Sequence, residues 1–211
     1  MLSRRLFAGL PLAMYAAAPK LPPFGGAVRA FGQEWDVLHP AEWSGSDTSL
    51  ELKVARPQEA NPRSPTQYAL AKTMPPERFT LEVEMKPDVD AGAKVGSAII
   101  VYGWRDNLHF DYVHLSPDTA VEQPVHNGIF HVYGGDRVRI SDQTGPRVWA
   151  KAEWTPVRVV YDASKNLVET WVRGEKNSSL RGIDLSLAHG RIGLGSFFNT
   201  VSCRNFRLHK A

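Results

Sequence analysis

Cysteine is nearly absent: Cys203 is the only one in 211 residues, so no internal disulfide can form and no cysteine pair can share a metal ion. Also missing are a Walker loop, a GxSxG elbow and a paired CxxC, which argues against phosphoryl transfer, nucleotide-linked redox chemistry and serine-esterase chemistry. The histidines form no tight His-x-His or His-x3-His pair, so their spacing does not mark a metal centre. No stretch keeps a helical period for three turns, and Asp184 to His189, with Asp184 as a cap, is the one short helical candidate beyond the amino terminus. The longest apolar run, Leu6 to Ala18, is too short to span a bilayer comfortably.

That run has the layout of an export signal: Arg4 and Arg5 precede it and small residues close it. The string SRRLF, Ser3 to Phe7, resembles a twin-arginine signal, with Ala8-Gly9 where Leu-Lys usually follows. A cut after Ala18 satisfies the small-residue rule at Ala16 and Ala18, although it leaves Pro19 at the new terminus. The expectation is an export signal over residues 1–18, a single domain over 19–211, and a periplasmic or secreted destination. The formal charge of +3 includes Arg4 and Arg5, and residues 1–18 contain no acid, so the mature chain carries only +1. A domain so near neutrality has no global electrostatic reason to bind nucleic acid or a membrane surface.

What the chain does contain is short segments rich in Val, Ile, Phe, Tyr and Trp, separated by Gly, Pro, Asn and Asp. Twelve strands are expected: 34–38, 50–55, 67–71, 79–86, 96–103, 109–115, 128–133, 137–141, 157–161, 168–173, 191–197 and 202–209. Without crossover helices they must pair antiparallel, and so many strands must split into two packed sheets, an all-β sandwich of jelly-roll type. Asp162, Ser164 and Asn166 supply one hairpin turn and Gly134-Gly135 another. The proline-containing stretch 55–65 reads as a surface loop. Trp35, Trp43, Trp149, Trp154 and Trp171 are assigned to the core, and Cys203 acts as a small buried hydrophobe.

Residues 104–140 are the most informative, holding four of the seven histidines. Period-two reading sets Val113 and Leu115 against Phe110, Tyr112 and His114. It sets Phe130 and Val132 against Ile129, His131 and Tyr133, and Val138 and Ile140 against Arg137 and Arg139. One face is aliphatic and the other aromatic, imidazole and guanidinium, suited to something flat, hydroxylated or anionic. On this reading His114 and His131 share the polar face, with His126 near enough to join them, while His109 and Asp111 lie on the opposite face. Packing beneath a neighbouring loop explains the same residues without a ligand.

The order FTLEVEMKP, SAIIVYGW, FDYVHLS, NGIFHV, WTPVRVVYD and GRIGLGSFFNTVSCRNFRL resembles the concanavalin-like lectin and glucanase jelly rolls. Within them it is most similar to the bacterial 3-keto-disaccharide hydrolase domain and its exported relatives. The resemblance runs from about Trp35 onward and is strongest at the carboxyl end, where the glycines of GRIGLGSF are expected to serve turns and to close a sheet. It implies an exported saccharide-directed protein using the concave sheet face.

Three readings of that implication stay open. As a glucanase, the chain would need carboxylates at alternate positions of one strand, about 5 Å apart; Glu82 and Glu84 are the nearest candidates, although Lys86 stands where a third acid would be expected. As a 3-keto-glycosidase, His114 and His131 would supply the base, with His126 beside them and Arg137 and Arg139 steadying an enediolate. As a lectin, Tyr102, Trp104, Tyr112 and Tyr133 would stack on sugar rings while His114, His126, Arg137 and Arg139 meet hydroxyls. No cofactor is expected, since the acidic loops Asp88 to Asp90 and Asp136 to Asp142 are too thin for a Ca²⁺ shell. An interaction module without a sugar ligand is the remaining class. If SRRLF directs export, replacing Arg4 and Arg5 together by Lys should leave precursor in the cytoplasm; wild-type export of that variant in a host lacking the twin-arginine route would overturn the assignment.

Overall fold

The computed structural model describes residues 24–56, 63–88, 96–183, 189–197 and 199–211. The expected signal segment, most of the proline-containing loop and residues 184–188 of the helical candidate lie outside the described residues. Fifteen strands follow in chain order: β1 (Gly26–Ala30), β2 (Gln33–Val37), β3 (Trp43–Gly45), β4 (Ser49–Leu52), β5 (Gln67–Ala71), β6 (Arg78–Pro87), β7 (Ala98–Asp106), β8 (His109–Leu115), β9 (Gly128–Tyr133), β10 (Val138–Arg139), β11 (Thr155–Asp162), β12 (Leu167–Val172), β13 (Leu180–Ile183), β14 (Arg191–Ser196) and β15 (Val201–Lys210). The only helical element among the described residues is a 3-10 turn, Pro40–Glu42. No helix there is long and apolar enough to cross a membrane.

The strands form two antiparallel sheets. One has eight strands in the order β1-β2-β5-β14-β7-β8-β9-β10; the other has seven in the order β13-β12-β11-β6-β15-β4-β3. This is the all-β sandwich read from the sequence, and each of the twelve expected strands overlaps an observed one. The three additions, β1, β3 and β13, are three to five residues long, too short for alternation to register against their Gly and Ala content.

The seven-stranded sheet alternates cleanly. In β6, Phe79, Leu81, Val83 and Met85 are buried while Thr80, Glu82, Glu84 and Lys86 are partly exposed. Its inward residues meet Ile100, Tyr102, Val113, Leu115, Ile129, Ile192 and Leu194 of the other sheet in one continuous core. Trp35, Trp43, Trp149 and Cys203 are buried there as expected. Trp154 and Trp171 are not: both are only half-buried, with the Arg204 guanidinium over one ring and that of Arg158 over the other, each at 4.2 Å. A tryptophan face offered to a guanidinium on an exposed sheet is a favourable cation–π surface, and the sequence alone does not separate that from a core position.

The central strands of the eight-stranded sheet are buried on both faces. All five residues of β5 and Ala98 to Gly103 of β7 are shielded. Tyr68, Leu70, Ile99, Val101, Phe110, Tyr112, Phe130, Val132 and Phe197 form a second apolar cluster on the side away from the sandwich core. Two glycines of GRIGLGSF serve this sheet from within a strand, and Gly190 directly precedes it. Gly193 and Gly195 lie in β14 between β5 and β7, and a Cβ on Gly193 would sit 2.8 Å from the Ala69 carbonyl oxygen. A Cβ on Gly195 would overlap the carbonyl oxygen of Gln67. Gly195→Ala must therefore push β5 away from β14, and we expect it to lose about 1–3 kcal/mol of stability by denaturant unfolding, the range of an overpacked core.

Candidate functional site

On the face of the eight-stranded sheet that points away from the core, β8 presents Phe110, Tyr112 and His114 in a row. The register pairs Tyr112 with Phe130 and His114 with Gly128, so Phe130 stands beside Tyr112, and its ring and the Arg139 side chain pack over Gly128. Phe197, just past β14, stacks on the His114 ring at 5.6 Å with 12° between planes. Arg137, just before β10, reaches across from the sheet edge. Its guanidinium lies over both Phe130 and Phe197, 4.7 Å from each ring centre.

Polar contacts fix this group. Arg137 Nη1 donates to the Tyr112 hydroxyl at 3.1 Å and to His114 Nδ1 at 3.2 Å. His114 is fully buried, and burial, then Arg137, His126 and Arg63, hold its pKa well below the usual histidine range. It is therefore a neutral imidazole whose Nδ1 accepts, which places its proton on Nε2. Nε2 is buried without a hydrogen-bond partner. Burial also pushes the Tyr112 phenol well above its ordinary pKa, outweighing the opposing pull of Arg137, so this group too stays protonated.

The loop between β8 and β9 brings a second imidazole. His126 lies 5.0 Å from His114, ring to ring, and its Nδ1 donates to Asp118 Oδ2 at 2.5 Å. Asp118, His126 and Asn127 are all buried. Asn127, at φ 50°, locks the loop: its Oδ1 accepts from Ser116 N at 2.7 Å and its Nδ2 donates to Asp118 O at 2.8 Å. Ser116 Oγ donates in turn to Asp118 Oδ2 at 3.1 Å. With Nδ1–H given to the carboxylate, the basic lone pair of His126 is on Nε2.

The structure thus brings together Tyr112, His114, His126 and Arg137 of the residues read from the sequence. Arg139 is on the same face, but Nη1 donates to Pro124 O at 2.8 Å and to Thr144 Oγ1, tying two loops together. Trp104 also belongs to this face, where it donates to the Tyr68 hydroxyl at 3.2 Å and packs on Phe24 and beneath Arg191. Five others are elsewhere. Tyr102 points into the sandwich core against Tyr161. Glu82 and Glu84 line a groove of about 440 Å³ on the outer face of the opposite sheet, where Glu84 is held at 2.6 Å by Arg204.

His131 corrects the face assignment made from its strand. The register sets it opposite Asp111, on the side of Val113 and Leu115, and its Nδ1 meets Asp111 Oδ1 at 2.6 Å. Tyr133 stacks on it there, alongside His109. His114 and His131 therefore lie on opposite faces. The residues that sequence reading missed are Asp118, Asn127, Phe197 and Arg63. The Ser-Pro-Asp turn after His114 and the Asn that follows His126 were the available signals for the first two; Phe197 and Arg63 gave none. Among the described residues, no three His, Cys, Asp or Glu side chains are grouped to hold a metal ion.

No protein-family model matches the sequence, and no curated protein matches it by sequence. Solved structures do match by fold. A carbohydrate-binding module from Bacillus subtilis superposes with a TM-score of 0.56 at 11% identity, over 91% of this chain and 100% of that one. A xylan beta-1,4-xylosidase from Bacillus halodurans gives 0.55 at 14% identity, over 96% of this chain and 41% of that chain. A putative glycosyl hydrolase from Parabacteroides distasonis gives 0.52 at 13% identity, over 81% and 83%. These likenesses define the class of fold, a jelly-roll β-sandwich.

His114 should be visible in the pH dependence of stability. Its folded pKa is depressed, so below about pH 6.5, where an unfolded histidine titrates, the unfolded chain takes up a proton that the folded chain refuses, and stability falls with pH. Between pH 6.5 and 5 the wild type should lose up to about 2 kcal/mol more than His114→Gln. Parallel curves for the two proteins would show that His114 titrates normally in the folded state.

Proposed function

We propose that this is an exported saccharide-directed enzyme that cleaves a glycosidic bond of a 3-keto-glucoside-type sugar on the outward face of the eight-stranded sheet. One observation carries the reading: Nε2–H of a neutral, buried His114 and the Nε and Nη2 donors of Arg137 have no acceptor among the described residues, next to an imidazole oriented by Asp118. Donors waiting for an oxygen beside a base are what abstraction of a proton α to a carbonyl requires. His126 Nε2 would take the C2 proton, and the electron pair would pass to the C3 oxygen, held by His114 Nε2–H and Arg137. Expulsion of the C1 substituent would follow, with its oxygen protonated by the His126 imidazolium. Water would then add at C1 and return a proton to C2, so that the overall change is hydrolysis. The named neighbours, a carbohydrate-binding module and two glycosidases, support a sugar as the ligand class.

Binding without cleavage is the second reading. It is favoured by the carbohydrate-binding module, which this chain matches over its full length. The two separate in one assay. As an enzyme, the protein consumes a 3-keto disaccharide and exchanges its C2 proton with deuterated solvent, and His126→Ala lowers both rates by roughly 10²–10⁴-fold, the usual worth of a general base. Asp118→Asn should lower them too and move the pH profile. A sugar that is bound but neither exchanged nor cleaved makes the protein a lectin. A screen of neutral and oxidised oligosaccharides with neither binding nor turnover leaves an interaction module.

A further inference from the structure

Arg137 is partly buried, and among the described residues no carboxylate pairs with it. Nη1 is committed to Tyr112 and His114, while Nε and Nη2 have no partner among the described residues. Other partly shielded guanidiniums are balanced: Arg191 by Asp36 at 2.7 Å and Arg204 by Glu84 at 2.6 Å. A second arginine, Arg63, acts electrostatically on both Tyr112 and His114 and makes no side-chain ion pair among the described residues. It is held there through its backbone, with N donating to Asp136 Oδ1 at 2.8 Å and O accepting from Arg137 N at 3.2 Å. The carboxylates nearby are engaged: Asp118 by His126 and Ser116, Asp136 by the Arg63 amide. Desolvating a guanidinium without a counter-ion is costly, and a charged ligand removes that cost.

We infer that the saccharide taken by this site is acidic, bearing the carboxylate of a hexuronosyl unit, with Arg137 as its in-plane partner and Arg63 as the second cation. The inference rests on the saccharide reading above and narrows it. A carboxylate fits better than a hydroxyl because the Phe130–Phe197 sandwich fixes the guanidinium plane. What remains of its donor edge is the planar fork that pairs with a carboxylate through two parallel hydrogen bonds. His114 Nε2–H adds a donor that a neutral imidazole can offer an anion at no charge cost.

Calorimetric titration of the full chain with short oligouronides, neutral gluco-oligosaccharides and sulfated neutral oligosaccharides tests this. The expected result is a preference of at least about tenfold for the oligouronide. Arg137→Gln and Arg63→Gln should each weaken oligouronide binding by roughly tenfold or more, the worth of a hydrogen bond to a charged group. Arg137→Lys, which keeps the charge but loses the fork, should recover only part. Far-ultraviolet circular dichroism checks that each variant folds, and the exposed Arg63 keeps the test open should Arg137 variants misfold. Neutral sugars bound as tightly as oligouronides would overturn the inference and leave the saccharide reading standing. Sulfated sugars bound in preference to oligouronides would overturn the carboxylate assignment. Binding of none of the three would overturn the inference and the saccharide reading together.

Discussion

The guanidinium of Arg137, sandwiched between Phe130 and Phe197 and bonded to Tyr112 and His114, joins parts of the chain that are far apart in sequence. Phe130 comes from β9, Phe197 from the end of β14, and Tyr112 and His114 from β8. A charge placed over two aromatic faces gains from both quadrupoles, and partial removal from water strengthens that gain. Burial first, and the nearby guanidinium second, make imidazolium formation at His114 unfavourable, so the ring stays neutral. That neutrality in turn fixes the tautomer and leaves a donor at Nε2. The chemistry available on this face follows from where one arginine sits.

The two sheets divide the work because they are buried differently. The seven-stranded sheet shows water a row of ion pairs and arginine-covered tryptophans: Glu84 with Arg204, Arg158 over Trp171, Arg204 over Trp154. Such pairs in high dielectric contribute little and leave little unsatisfied. The eight-stranded sheet carries aromatic side chains on the face that a simple sandwich would leave to solvent. Only in that shielded setting can an imidazole be held well below its ordinary pKa and a phenol well above it.

The fold was legible because alternation is a local property. β6, β11 and β12 bury one parity and expose the other, and each was found within one or two residues. The hairpin turns followed the same way from Asp162, Asn166 and Gly134, with Ser164 N bonded to Asp162 Oδ1 and Asn166 and Gly134 at positive φ. The site was half legible. Tyr112, His114 and Arg137 were placed on one face by parity alone. β9 defeated the method because Ile129, Phe130 and Val132 put apolar side chains on both parities. Which half meets the sandwich core is decided by the Asp111–His131 pairing, a tertiary fact. Glu82 and Glu84 do share one face of one strand as read, but on the opposite sheet from His114, with Arg204 across the sheet paired to Glu84.

Asp118 illustrates why loops carry the remainder. Period-two reasoning says nothing about a segment with no period, yet between β8 and β9 Ser116, Asp118 and Asn127 hydrogen-bond one another and tie the two ends of the loop together. A buried carboxylate that accepts from a serine and an imidazole is satisfied without any cation. Asp118 therefore orients His126 and does not neutralise Arg137. A charge-balanced core would have paired the two. Their separation leaves a carboxylate-held imidazole at one end of the group and a guanidinium without a carboxylate partner among the described residues at the other.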